Sequence, residues 1–214
     1  MMNVQTWGES LRLVVEVAAT AAFALSGVLE AARKRLDAVG VCVVGFLAAF
    51  GGGTLRDLLL DRRPFFWVAH VELLWGVLAL CVLAMLFLRN RHFKLTERAI
   101  QWPDALGLGL FTATGVHQAL LLQMPGVVAV LMGVITGVFG GVLRDMVCNE
   151  IPSAFRDHRP YAVFAFLGGW AYVGLWQTDA AGWLALLLCV AITAGLRAVA
   201  LWRNWELPAW RVQD

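Results

Sequence analysis

Gly51-Gly52-Gly53-Thr54-Leu55-Arg56-Asp57 is answered, 88 residues further on, by Phe139-Gly140-Gly141-Val142-Leu143-Arg144-Asp145. Two glycines, a leucine, an arginine and an aspartate fall in register. The same offset holds outward from them. It pairs Phe23 with Phe111, Gly27 with Gly115, Gly45 with Gly133 and Pro64 with Pro152. Ungapped agreement over that distance is the mark of an internal duplication. Past the prolines the second copy carries a short insertion, after which Trp75 corresponds to Trp170.

Both copies sit in strongly apolar surroundings. Hydrophobic residues make up 60% of the 214 positions and charged residues only 15%, against about 25% in soluble proteins. Mean hydropathy is +0.73. Such a chain has too little polar surface to dissolve, which excludes a soluble enzyme, a nucleic-acid binder and a disordered protein. The lipid bilayer is its solvent. Apolar stretches of about 20 residues, the length of a span, fall at 11–32, 38–60, 65–88, 105–122, 126–148, 161–178 and 181–202. The expected fold is all-α, with seven transmembrane helices. The links between them are too short for a soluble domain, so residues 1–214 form a single membrane domain. Only Arg12 stands near the start of the first span, which therefore lacks the basic flank of a cleaved signal. The four cysteines all lie in apolar stretches and read as small core residues.

Each copy holds three spans, 11–88 and 105–178, with 181–202 left as a seventh helix. Three is odd, so the second copy enters the membrane from the opposite side. The result is a pair of inverted three-helix repeats, an arrangement common in transport proteins. Orientation follows from the basic residues. With the N-terminus outside and the C-terminus cytoplasmic, the inner segments hold Arg33, Lys34, Arg35, Arg89, Arg91, Lys94, Arg98, Arg156, Arg159, Arg203 and Arg211. The outer ones hold Arg12, Arg62 and Arg63.

The repeated motif carries the candidate functional residues. Gly51, Gly52, Gly53, Gly140 and Gly141 lie within the second and fifth spans. Glycine in a helix interior is unfavourable by about 1 kcal/mol relative to alanine. A run of them suits a broken helix whose freed carbonyls line a path for a cation or small zwitterion. The plainer alternative is close helix packing through small residues. Gly52 is 14 residues into its span, about 21 Å at ~1.5 Å per residue, and Arg56 about 27 Å, near the edge of a ~30 Å core. Arg56 and Asp57 are thus expected at one mouth, and Arg144 and Asp145 at the other, as a charged rim or a structural clamp. Sequence neighbours stand about 100° apart on a helix, so each is expected to find its partner elsewhere. Glu30 reads as solvated and Glu16 as lying near the outer interface. His70 and Glu72 are placed in the third span and His117 in the fourth, as interhelical hydrogen bonds or a proton relay. Ser26, Thr54, Thr112, Thr114 and Thr136 are candidate pore hydroxyls, each with the alternative of bonding back to a carbonyl one turn away. No Lys-Ser/Thr follows the glycines, as a phosphate loop requires. With no metal-ligand spacing and no nucleophile set either, no enzyme, cofactor or resident metal is expected.

Phe23-Ala24-Leu25-Ser26-Gly27, the run from Gly51 to Leu60, Pro64, and the second motif from Phe139 to Asp145 together resemble the prokaryotic trimeric intracellular cation channel family. That family is also known as a duplicated glycine-transporter domain. The resemblance spans nearly the whole chain. It implies seven helices in two inverted repeats plus a final helix, and homotrimers with an hourglass-shaped hydrophilic pore inside each subunit. It also implies conduction of potassium, and of sodium less selectively. The family's kinks in the second and fifth helices fall on Gly51 to Gly53 and on Gly140 and Gly141. Phe139 departs from the pattern where the first copy has Gly51. Animal members carry a gating-related lysine segment in the fourth span; here that span has His117 and no lysine. Two functions from this reading compete, a passive monovalent-cation channel and a secondary transporter of a small solute such as glycine.

Overall fold

The computed structural model describes residues 9–88, 97–156, 160–178 and 182–205. The described residues are helical, with no strand. Seven helices have 15 residues or more: α1 (Glu9–Arg33), α2 (Ala38–Leu59), α4 (Val71–Leu88), α5 (Glu97–Leu121), α6 (Gly126–Val147), α8 (Ala162–Trp176) and α9 (Gly182–Arg203). Two single turns, α3 (Phe66–Ala69) and α7 (Ser153–Arg156), precede α4 and α8. Four helices, α1, α2, α6 and α9, are long and apolar enough to cross a membrane by length and composition; α4 and α8 are shorter apolar helices. Basic positions Arg89, Arg91, Lys94, Arg159 and Arg211, which enter the orientation argument, lie outside the described residues.

Helix ends follow local chemistry. Asp37 caps α2 by accepting from the Gly40 amide at 2.7 Å. At the far end the Arg62 amide reaches back to the Asp57 carbonyl and the Asp61 amide to that of Leu58. Asp61 takes φ 49° to allow it, the left-handed turn that ends many helices. The duplicate helix closes in the same way, with Glu150 bonding Asp145, Asn149 bonding Met146, and Asn149 at φ 56°. Arg35 and Gln123, also 88 apart, end α1 and α5 with φ 56° and 59°. The duplication is thus written into the backbone as well as the side chains.

The two copies pack face to face. Phe23 stacks on its own counterpart Phe111, ring centroids 5.5 Å apart, between α1 and α5. α2 crosses α6 at the glycines. A Cβ on Gly52 would stand 2.0 Å from the Thr136 carbonyl oxygen, and one on Gly140 would stand 2.5 Å from that of Ala48. Ala48 and Thr136 are again 88 apart. Because Gly52 meets Thr136 while Gly140 meets Ala48, numbers rise along one helix as they fall along the other. Corresponding helices therefore run antiparallel, the geometry of an inverted pair. α4 packs on α1 and α2, α8 on α5 and α6, and α9 lies against α5 and α8. Trp75, Phe87 and Trp202 are more than two-thirds exposed, as lipid-facing aromatics are.

Three expectations need correcting. α5 begins at Glu97, eight residues before the expected 105, because the polar residues of Gln101-Trp102-Pro103-Asp104 are helical and Asp104 is buried. The third span is broken at His70, which ends α3 before α4 begins. Both glycine runs lie inside continuous helices, and no glycine among the described residues has positive φ. They do not end their helices. They let two helices touch backbone to backbone.

Candidate functional site: two mirrored buried ion-pair networks

Arg56 and Arg144 are 1% and 3% exposed. A guanidinium is tolerated at such depth only with counter-charges and hydrogen bonds around it. Arg56 Nε donates to Asp57 Oδ1 at 2.9 Å, and its Nη1 lies 3.3 Å from Glu16 Oε1 on α1. Arg144 repeats the pattern: Nε donates to Asp145 Oδ1 at 2.8 Å and Nη1 to Asp104 Oδ1 at 2.6 Å on α5. Glu16 and Asp104 are themselves 88 apart. Each network is one guanidinium between two carboxylates, one carboxylate beside it and one from the neighbouring helix. The second carboxylate oxygen of the adjacent acid ties down the following loop. Asp57 Oδ2 accepts from the Phe66 amide at 2.9 Å and Asp145 Oδ2 from the Ser153 amide at 2.8 Å.

The adjacent Arg–Asp pairs overturn the expectation that neighbours do not meet. The arginine stem is long enough to fold back across the helix surface and bring its fork to the next residue. Gly53 and Gly141 stand one turn before each arginine. A Cβ at Gly53 would lie 3.9 Å from Arg56 Nη2, and one at Gly141 would lie 3.3 Å from Asp104 Oδ1. Gly51 closes on Leu143 instead, with 2.5 Å from a hypothetical Cβ to Cδ1. Phe139, in the matching place of the second copy, is 38% exposed.

Beyond the shared pattern the networks differ. Asp104 Oδ2 accepts from Tyr161 Oη at 2.7 Å, and the Arg197 guanidinium of α9 lies over the Tyr161 ring, 4.8 Å from its centroid. Ser26 accepts from Arg144 Nη1 and donates to the Ile100 carbonyl at 3.1 Å. In the first network Glu16 Oε1 receives Gln118 Nε2 at 2.5 Å as well as Arg56. Just outside α2, the half-buried Arg62 is held below its usual pKa range by burial, with the positive charge of Arg56 acting in the same direction.

A cavity of about 110 Å³ opens beside the second network. Its charged lining is Glu30, Asp104, Asp145 and Glu150 against Arg33 and Arg144, an excess of carboxylates. Glu30, expected to be solvated, is 4% exposed and bonds Arg33 at 2.8 Å. Lys34 pairs with Glu150 across the same region.

The hydroxyl candidates divide. Thr54, Thr112, Thr114 and Thr136 each donate to a carbonyl of their own helix, three or four residues back, at 2.6 to 3.1 Å. Thr54 also accepts from Trp67 Nε1 at 3.1 Å. Of the five, only Ser26 bonds across to the other repeat. His117 bonds Tyr172 Oη at 2.8 Å between α5 and α8, and His70 bonds Glu72 at 3.0 Å at an exposed helix start. The free thiols of Cys81, Cys148 and Cys189 are buried and that of Cys42 half-buried. The sequence reading missed Asp104, Tyr161 and Gln118, and set Glu16 at the interface where the structure buries it. The signal for Glu16 and Asp104 was the same 88-residue offset, masked by the change of acid.

Comparison with known proteins agrees with this architecture. The family described as glycine transporter matches the chain twice, over residues 13–89 and 101–177. A membrane protein of Vibrio cholerae is 37% identical over 93% of this chain and 82% of its own length. The inner membrane protein YadS of Escherichia coli is 34% identical over 94% of this chain and 96% of its own. Among solved structures, the TRIC trimeric intracellular cation channel orthologue from Rhodobacter sphaeroides superimposes with a TM-score of 0.85 at 34% identity. That match covers 92% of this chain and 100% of the other.

Proposed function

Because the chain belongs to the duplicated glycine-transporter family and shares the whole fold of a trimeric intracellular cation channel, we propose that it conducts monovalent cations, potassium in preference to sodium. The pore runs inside each subunit of a homotrimer, between two inverted repeats, 11–88 and 105–178, with 181–202 as the additional helix. The N-terminus lies outside and the C-terminus in the cytoplasm, in the cell's inner membrane. One observation supports the reading above the rest: the fold match extends over the full length of the channel orthologue. The geometry agrees with it. The cavity beside Arg144 has more carboxylates than guanidiniums, which draws cations in. Arg56 with Asp57 and Arg144 with Asp145 then stand toward opposite mouths. The touching glycines, Gly51 to Gly53 and Gly140 with Gly141, set the constriction between them, where α2 and α6 bend to open it.

The second reading is a secondary transporter of a small solute such as glycine. The family's description favours it, and inverted repeats serve alternating access as well as they serve a pore. Purified protein in a planar bilayer with a potassium gradient separates the two. Unitary currents that reverse near the potassium equilibrium potential are expected. Silence there, with saturable uptake of labelled glycine into proteoliposomes, would hand the function to the transporter.

A further inference from the structure

Three side-chain oxygens on α1 and α5 are buried and take no hydrogen bond: Glu16 Oε2, Thr20 Oγ1 and Gln118 Oε1. Their residues are 1%, 2% and 3% exposed. Buried polar groups in folded proteins are almost always satisfied, so three on adjoining helices are a feature to account for. They belong together. Thr20 follows Glu16 by one turn of α1 and shares its face. Gln118 reaches Glu16 from α5, and its Nε2–H donating to Glu16 Oε1 fixes which end of the amide carries the oxygen. The opposite orientation would set oxygen against oxygen.

We propose that Glu16, Thr20 and Gln118 form a binding site for one monovalent cation. A carboxylate, a hydroxyl and an amide carbonyl are all hard oxygen donors, the set that suits alkali and alkaline-earth ions. Charge decides between the two. At hydrogen-bond range the one guanidinium of Arg56 is shared by two carboxylates, Glu16 and Asp57, so neither acid has a cation to itself. Arg62 and Arg12 act on the same acids from further off, which favours a singly charged ion over a divalent one. The mirrored position offers no such set of unpartnered oxygens. There Asp104 has both oxygens occupied, by Arg144 and Tyr161, and the residue matching Thr20 is Leu108. The duplicated machinery therefore holds one cation position, not two. A site of three protein oxygens binds loosely enough to release its ion, as conduction requires. The choice of ion rests on the channel reading. Binding is measured at equilibrium, with no current, so the two stand or fall separately.

Crystals of the full-length protein grown in rubidium chloride test the site directly. An anomalous peak within about 3 Å of Glu16 Oε2, Thr20 Oγ1 and Gln118 Oε1 is expected. An ordered water without anomalous signal at that point overturns the proposal. In detergent, potassium chloride should raise the melting temperature above that in choline chloride at equal ionic strength. Thr20→Val, which keeps the volume and removes one donor, should need at least tenfold more potassium for the same rise. Identical melting in the two salts, or a Thr20→Val response matching the unsubstituted protein, would count against the site even if potassium currents are recorded.

Discussion

The Asp104–Arg144–Asp145 network is closed and the Glu16–Arg56–Asp57 network is open, although both descend from one sequence unit. Every carboxylate oxygen around Arg144 has a partner, and Ser26 from the opposite copy adds another acceptor. Glu16 instead gathers Arg56 and Gln118 on one oxygen and leaves the other bare. The shared part, a guanidinium between two acids, is what the duplication copied. Closure comes from positions where the copies diverged. Tyr161 and Ser26 close the second network. Gln118 stands where the first copy has Glu30, and Thr20 where the second has Leu108. Inverted duplication supplied symmetric scaffolding, and a few substitutions made its two ends chemically unlike.

Removing the guanidinium is the hardest test of that contrast. Arg144→Met leaves Asp104 and Asp145 buried without a counter-charge, a loss of about 3–5 kcal/mol. Arg56→Met should lose less, because Gln118 still bonds Glu16 and the open side of that acid accepts a cation. Unfolding in mixed micelles, in potassium chloride, measures both. A loss at Arg56 as large as that at Arg144 would mean the first network is as closed as the second.

The helix crossing offers a second comparison. Gly52→Ala would drive a methyl to 2.0 Å from the Thr136 carbonyl and Gly140→Ala to 2.5 Å from that of Ala48. The helices must part in either case, at about 1–3 kcal/mol, and Gly52→Ala should be the worse. Gly174→Ala in α8 has nothing within 4 Å and should instead stabilise by up to about 1 kcal/mol through helix propensity. Melting temperatures of the three variants give the order. Equal, small changes at Gly52 and Gly140 would show that the crossing is looser than its geometry.

How far these features could be read in advance depended on what the signal was made of. The bounds of α2 and α6 were legible to within a residue, because an apolar run ends abruptly at Asp37, Leu60, Pro125 and Cys148. The start of α5 was not. Gln101, Pro103 and Asp104 look like a loop by polarity, and only the three-dimensional partner Arg144 turns Asp104 into a core residue. The pairing of Arg56 with Asp57 was hidden because helical angle describes Cβ directions, not the reach of a long, bent side chain. The equivalence of Glu16 and Asp104 was present at the same offset as the glycines, but one methylene of difference removes it from any comparison by identity. Tyr161 left no trace, since the insertion after Pro152 breaks the register there.

The mildest contrast is between Ser26 and Thr114, counterparts 88 residues apart, both fully buried. Thr114 bonds only the Phe111 carbonyl of its own helix, at 3.1 Å. That bond satisfies the hydroxyl without linking two elements, so Thr114→Val should change stability by less than about 0.5 kcal/mol. Ser26 links three elements: it belongs to α1, donates to the Ile100 carbonyl of α5 and accepts from Arg144 of α6. Arg144 keeps its carboxylates when the hydroxyl goes, so Ser26→Ala should lose about 1 kcal/mol rather than the full value of the network. Side-by-side unfolding of the two variants reads the difference. Were Thr114→Val to prove the more harmful, the hydroxyls would be acting through their own helices, and the cross-repeat bond to Arg144 would have no part in closing the second network.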